Sequence, residues 1–267
     1  MDTKNLKFAF FGGEPLAVPT LEKLYKNGFV PTLIVCNPDK PAGRNMQLTP
    51  PPTKIWAEKN KVPFIQDMAD LQGVFDLFIV VSYGKIIPKK ILDMPKYGTI
   101  NIHPSLLPKY RGPSPMVSAI LNGDTETGVT IIKIDEEMDH GPILAQEKIN
   151  LTGFEMIQDL EKTLADLGGE LLIKTLLDFA EGKIQPVKQD DSQATFCKKI
   201  KKEDGLIDLN DDAKENYNKF RAYATWPRTF FFKNSKRFII TDAELKDNEF
   251  VIKKIIPEGG KEIGYKP

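Results

Sequence analysis

Strands that are apolar along their whole length, and not only at alternate residues, are stable only where both faces of a sheet are covered, and this chain has several. The run from Lys7 to Phe11 is closed by Gly12 and Gly13, FVPTLIVC spans 29–36, and FDLFIVVSYG spans 75–84. Segments with helical spacing stand between them: AVPTLEKLYKN (17–27, ended by Gly28), TKIWAEKNK (53–61) and the short KKILDMP, after which YGTINIH returns as a strand. Buried strands alternating with helices imply an α/β fold built on a Rossmann-like, mostly parallel sheet. Ligands of such sheets bind beyond the carboxyl ends of the strands.

Further along, SPMVSAILNG (114–123) predicts a helix with Ser114 as N-cap and Gly123 closing it. TGVTIIKID and GPILAQEKINL predict paired strands around the turn EEMDHG. Residues 155–182 predict a long amphipathic helix, with Gly168 and Gly169 as the place where it would break. A polar, Pro-containing linker follows, then the helix DDAKENYNKFRAYA, the segment TWPRTFFF and three short β-like runs. The expected organisation is a catalytic domain over 1–185, a linker over 186–204 and a small, truncated β-rich domain, a shortened OB-like barrel, over 205–267.

A chain of 267 residues is long enough for a sizeable core. Its 37 basic and 37 acidic residues cancel, so an anionic partner must be held by a local patch and not by the field of the whole molecule. From Cys197 onward there are 16 basic and 12 acidic residues, against 21 and 25 before it, so the positive excess lies toward the C-terminal end. Cys36 and Cys197 have neither disulfide nor zinc-site spacing, which fits reduced thiols. The opening MDTKNLKFAFFGG has an apolar run too short for a signal peptide or membrane span, and a cytoplasmic protein is expected.

One strand end carries chemistry. In GTINIHPSLLPKYRGPSP (98–115), side-chain alternation puts Asn101 and His103 on one face and Ile102 on the other, while Pro104 keeps His103 extended. An amide and an imidazole there can polarise a carbonyl and move a proton. A structural turn explains the motif about as well. A working histidine needs a carboxylate partner, and DEEMDHGPIL offers Asp139, followed by Gly141 and Pro142; Glu136 and Glu137 read as solvated charges, and His140 as a surface turn residue.

The segments SYGKIIP (82–88), NIHPSLLPKYRGPSP (101–115), GDTETGVTI (123–131) and MDHGPIL (138–144), in that order and spacing, resemble the folate-dependent formyltransferases. The resemblance covers nearly the whole chain. It implies Asn101, His103 and Asp139 as the catalytic triad and 10-formyltetrahydrofolate as formyl donor, with no metal. It also implies donor contacts from Ser82, Tyr83, Gly84, Ile86, Ile87, Pro88, Ser105, Leu106, Leu107 and Pro108. The oxyanion would take donors from Asn101 and from a His103 N–H.

Within that family, NPDKPAGRNMQLTPPPTK (37–54) resembles the loop by which some members engage the acceptor end of methionyl initiator tRNA, with Arg44 as its basic residue. That resemblance implies a tRNA partner and a role in translation initiation. Lys198, Lys199, Lys201 and Lys202 are the further tRNA-contact candidates. No membrane partner is expected, and a monomer is the working expectation. Three departures are visible: 40 residues after Pro227 in place of a full barrel, Asn45, Met46 and Gln47 where the loop is usually basic, and Leu16 in the first turn. The rival reading is an N-formyltransferase acting on a nucleotide-linked amino sugar. FFGGEP does not satisfy GxGxxG, which argues against a dinucleotide oxidoreductase.

Overall fold

The computed structural model describes residues 6–42 and 46–266. The chain divides into two compact units. The first comprises Met1–Arg111, Gly128–Lys148 and Glu161–Thr195; the second comprises Gly112–Thr127, Ile149–Leu160 and Phe196–Pro267.

The apolar runs form the strands expected of them. β1 (Phe8–Gly12), β2 (Leu33–Cys36), β5 (Phe64–Ile65), β6 (Leu77–Val81) and β7 (Thr99–His103) run parallel, and β8 (Glu126–Lys133) joins β7 antiparallel. With β9 (Ile143–Asn150) the sheet has seven strands in the order β5-β2-β1-β6-β7-β8-β9. Every residue of β1 and β6 is buried, because the helices between the strands cover the sheet. Each buried Phe or Leu side chain contributes roughly 1.5–3 kcal/mol from apolar area removed from water. The chain leaves β1 toward β2 on one side and returns as β6 on the other, which makes the carboxyl ends of β1 and β6 the switch point where such sheets open a crevice. Gly13 is required there. Its N–H donates to the Val81 carbonyl at 3.0 Å, and a Cβ on it would run into the backbone of Ser82.

α1 (Ala17–Lys26), α2 (Pro52–Asn60) and α3 (Lys89–Leu92) match the expected helices. α5 (Ile157–Ala180) corrects one expectation, since it runs unbroken through Gly168 and Gly169. Gly168 is a packing residue: its absent side chain lets the helix lie on β7, where a Cβ would come 3.1 Å from Ile102 Cγ2. The segment around Arg44 holds two short strands that apolar patterning could not reveal, β3 (Lys40–Ala42) and β4 (Gln47–Thr49), paired antiparallel. Arg44 itself lies outside the described residues.

In the second unit, α4 (Pro115–Leu121) begins after Ser114 as expected, but the Ser114 side chain does not cap it. Its Oγ donates to the Lys198 carbonyl at 2.5 Å. α6 (Ala213–Ala222) is capped by Asp212, which accepts from the N–H groups of Lys214 and Glu215. The tail is more regular than three short runs. β10 (Phe230–Lys233), β11 (Lys236–Lys246), β12 (Glu249–Pro257) and β13 (Ile263–Gly264) form an antiparallel sheet in chain order, with β11 eleven residues long. Its core is Ile207, Phe220, Phe231, Ile240 and Ile255.

Candidate active site

The site is built on the last residues of β7. Strand alternation sends Ile102 into the core beneath α5 and puts Asn101, half-buried, on the same face as His103, which is 4% exposed. Among the described residues the Asn101 side-chain amide has no hydrogen-bond partner, so its N–H remains available as a donor. The two nitrogens of His103 face different groups. Nε2 lies 2.9 Å from the Tyr110 carbonyl, and because a carbonyl can only accept, Nε2 carries the proton. Nδ1 lies 3.5 Å from Asp139 Oδ1. One edge of the ring is thus anchored on the Tyr110 carbonyl, and the other faces the Asp139 carboxylate.

Glu136 and Glu137 are exposed, as expected. His140 is more than a surface residue. Its Nδ1 lies 2.7 Å from Asp135 Oδ2 and its Nε2 3.5 Å from Asp191 Oδ1. The hydrogen bond with Asp135 raises its pKa above the ordinary histidine value. The Arg111 guanidinium, 2.8 Å from Asp191, holds that carboxyl below the usual range.

The segments expected to hold the donor lie at neighbouring strand ends. Tyr83 is buried with its ring edge-on to Phe11, and burial pushes its hydroxyl up to about 12. Gly84 has φ 71°, a conformation open to glycine at little cost, and a Cβ there would meet no described atom within 4 Å. Ile86 is 91% exposed, Ile87 packs on the core, and Pro88 precedes α3. After His103, Ser105 Oγ donates to the Lys109 carbonyl at 2.6 Å. Thr130 Oγ1 donates to the Ser105 carbonyl at 2.6 Å and accepts from Leu107 N–H at 3.1 Å. Tyr83, Ser105 and Leu107 are thus buried, and the Leu107 carbonyl accepts from Gln146 Nε2 at 3.0 Å. Leu106 and Pro108 are half-buried and Ser82 has φ 51°. Lys198, Lys199, Lys201 and Lys202 are exposed and belong to the second unit.

Sequence reasoning missed Thr130, Arg111 and Gln189. An arginine inside KYRGPSP, beside a histidine motif, was a signal that a buried charge would need a partner; Gln189, in what read as a polar linker, gave none.

An amide on the same strand face as an imidazole that meets a carboxylate, at the carboxyl end of a parallel strand, is a set of groups suited to group transfer at a carbonyl carbon. Residues 6–176 match the family described as formyl transferase and residues 199–264 match the formyl transferase C-terminal domain, and the chain belongs to this family. A methionyl-tRNA formyltransferase of Thermotoga maritima is 41% identical over 271 residues, covering 97% of this chain and 87% of that protein. Among solved structures, an N-formyltransferase from Helicobacter canadensis, in complex with folinic acid and dTDP-3-aminofucose, superposes with a TM-score of 0.72 at 21% identity, covering 98% of this chain and 100% of its own. A methionyl-tRNA formyltransferase from Clostridium thermocellum does so with 0.62 at 17%, covering 97% and 100%. At those identities the structures speak to fold alone; the choice of relative comes from sequence. No helix among the described residues is long and apolar enough to cross a membrane.

Proposed function

We propose that this chain transfers the formyl group of 10-formyltetrahydrofolate to the amino group of methionyl initiator tRNA, in the cytoplasm and as a monomer. The observation that carries this reading is the convergence of Asn101, His103 and Asp139 in a chain similar along almost its whole length to a methionyl-tRNA formyltransferase.

The exposed part of Ser82–Pro88 suits a flat heteroaromatic donor, because Gly84 leaves its surroundings clear and Ile86 offers an exposed apolar face; Ser105–Pro108 complete the proposed donor contacts. The folate supplies the formyl carbon and receives the electron pair of the bond that breaks. Asn101 Nδ2–H donates to the formyl oxygen as it becomes an oxyanion. The amine that attacks must lose a proton, and the gap between His103 Nδ1 and Asp139 Oδ1 lies between two acceptors able to hold it. Tyr110, bound to Nε2, keeps the ring from turning its protonated edge to the substrate. His103 passes the proton on to the departing nitrogen. Lys198, Lys199, Lys201 and Lys202, with Arg44, are the proposed phosphate contacts.

The test is formyl transfer measured side by side on methionyl initiator tRNA and on nucleotide-linked amino sugars, at low and moderate salt. Formylated tRNA, with turnover weakening as salt rises, is the expected result. Turnover of a sugar with an inert tRNA would reassign the acceptor while keeping the triad.

A further inference from the structure

Both groups that hold His103 sit on strained backbone. Tyr110 has φ 63° and Asp139 has φ 51°, left-handed conformations that a residue with a Cβ keeps only where surrounding contacts impose them. The two residues lie on different turns, one after β7 and the other between β8 and β9. One short stretch, residues 189–195, makes contacts with both turns.

On the Tyr110 side, its N–H donates to Thr195 Oγ1 at 2.9 Å and the Arg111 N–H donates to the Thr195 carbonyl at 2.8 Å. On the Asp139 side, Gln189 Nε2 donates to the carbonyls of Asp139 and Gly141, at 2.8 Å each. The two sides meet at one amide, because Gln189 Oε1 accepts from Arg111 Nε at 3.1 Å and from Arg111 Nη2 at 2.9 Å. Arg111 and Gln189 are each 4% exposed, so these bonds lie out of competition with water, and Asp191 takes Arg111 Nη2 at the outer end.

We propose that residues 189–195 act as a positioning strap for the catalytic pair, with Gln189, held by Arg111, fixing the separation of His103 and Asp139. The inference rests on reading that pair as the proton acceptor of formyl transfer. Gln189 and Arg111 are both positioning residues, each 4% exposed. Their contribution is to keep the carboxylate in line with Nδ1 while the Tyr110 carbonyl stays on Nε2.

Gln189→Glu breaks the strap at one amide. Glutamate keeps its oxygens on Arg111 and gains charge there, but it has no N–H for the Asp139 and Gly141 carbonyls and turns oxygen lone pairs toward them. The expected result is a kcat lowered roughly ten- to a hundredfold, as for a small misplacement of a catalytic group, with KM for both substrates little changed and a lowered thermal midpoint, because two buried carbonyls lose their donor. Arg111→Lys, which keeps the charge and loses the fork, is expected to act the same way more weakly. Nitrogen-15 spectra of the histidine rings give a readout independent of turnover. The chain has two histidines, so His140→Gln identifies the His103 signals. These signals are expected to move in Gln189→Glu. An unmoved His103 spectrum in both variants, whatever happens to kcat, would overturn the strap. A wild-type chain inert toward tRNA would overturn the proposed function alone, and the ring spectra would still decide the strap.

Discussion

Asp139 approaches His103 to 3.5 Å on the Nδ1 side, opposite the edge that donates to the Tyr110 carbonyl. In the proposed mechanism the pair takes the proton of the attacking amine and Asn101 takes the oxyanion. Each residue then has a separable failure.

Asn101→Ala removes the donor at the developing charge, and its kcat is expected to fall about a hundred- to a thousandfold with little change in KM. His103→Ala and Asp139→Asn remove the proton acceptor and are expected to fall at least as far. Single-turnover formyl transfer, with circular dichroism to establish folding, measures this. Normal turnover by His103→Ala would remove the mechanism.

His140 gives the fold a pH dependence whose sign is fixed. Its pKa is raised in the folded chain from 6.5, first by the hydrogen bond with Asp135 and then by the charges of Asp135, Glu137 and Asp191, with burial opposing. Its stabilisation is complete below the unfolded value and is lost as pH rises through the higher folded value. The melting midpoint should therefore decline over an interval beginning near 6.5, and His140→Gln should flatten that part of the curve. A variant with the wild-type slope would show that another group titrates there.

Gly168 passes over the strand that carries the site. Because a Cβ there would already lie 3.1 Å from Ile102 Cγ2, the branched side chain of Gly168→Val overpacks the contact, at a cost of about 1–3 kcal/mol. Chemical denaturation measures the loss. Unchanged stability would mean that α5 lifts freely from β7.

The sheet was legible because its strands are buried on both faces and so read as continuous apolar runs; Phe8–Gly12 and Leu77–Val81 have no solvent-facing residue to blur them. The helix through Gly168 was misjudged at one point because sequence records the cost of glycine and not the strand it makes room for. β3 and β4 were invisible because KPA and QLT are three residues each, too short for a two-residue period to show. Strand period put Asn101 and His103 on one face, but a structural turn explained that motif about as well; their joint role with Asp139 came from the family resemblance. Gln189 was not legible, because nothing local distinguishes a buried glutamine that joins two distant turns from a solvated one.

The tRNA contacts call for a charge test and not a deletion. Removing the chain beyond Arg228 would take away Phe231, Ile240 and Ile255, which form one core with Ile207 and Phe220, and the second unit would lose its packing together with any binding surface. Replacing Lys198, Lys199, Lys201 and Lys202 by glutamine leaves that core untouched, since all four are exposed. Each lysine that meets a phosphate adds about 0.7–0.9 to the slope of log(kcat/KM) against log salt. The fourfold variant should therefore show a raised KM for tRNA and a slope flatter by about one or more, with an unchanged KM for the folate. Equal slopes for the variant and the wild type would show that these lysines are solvated surface charges, and the basic contact would have to be sought elsewhere on the chain.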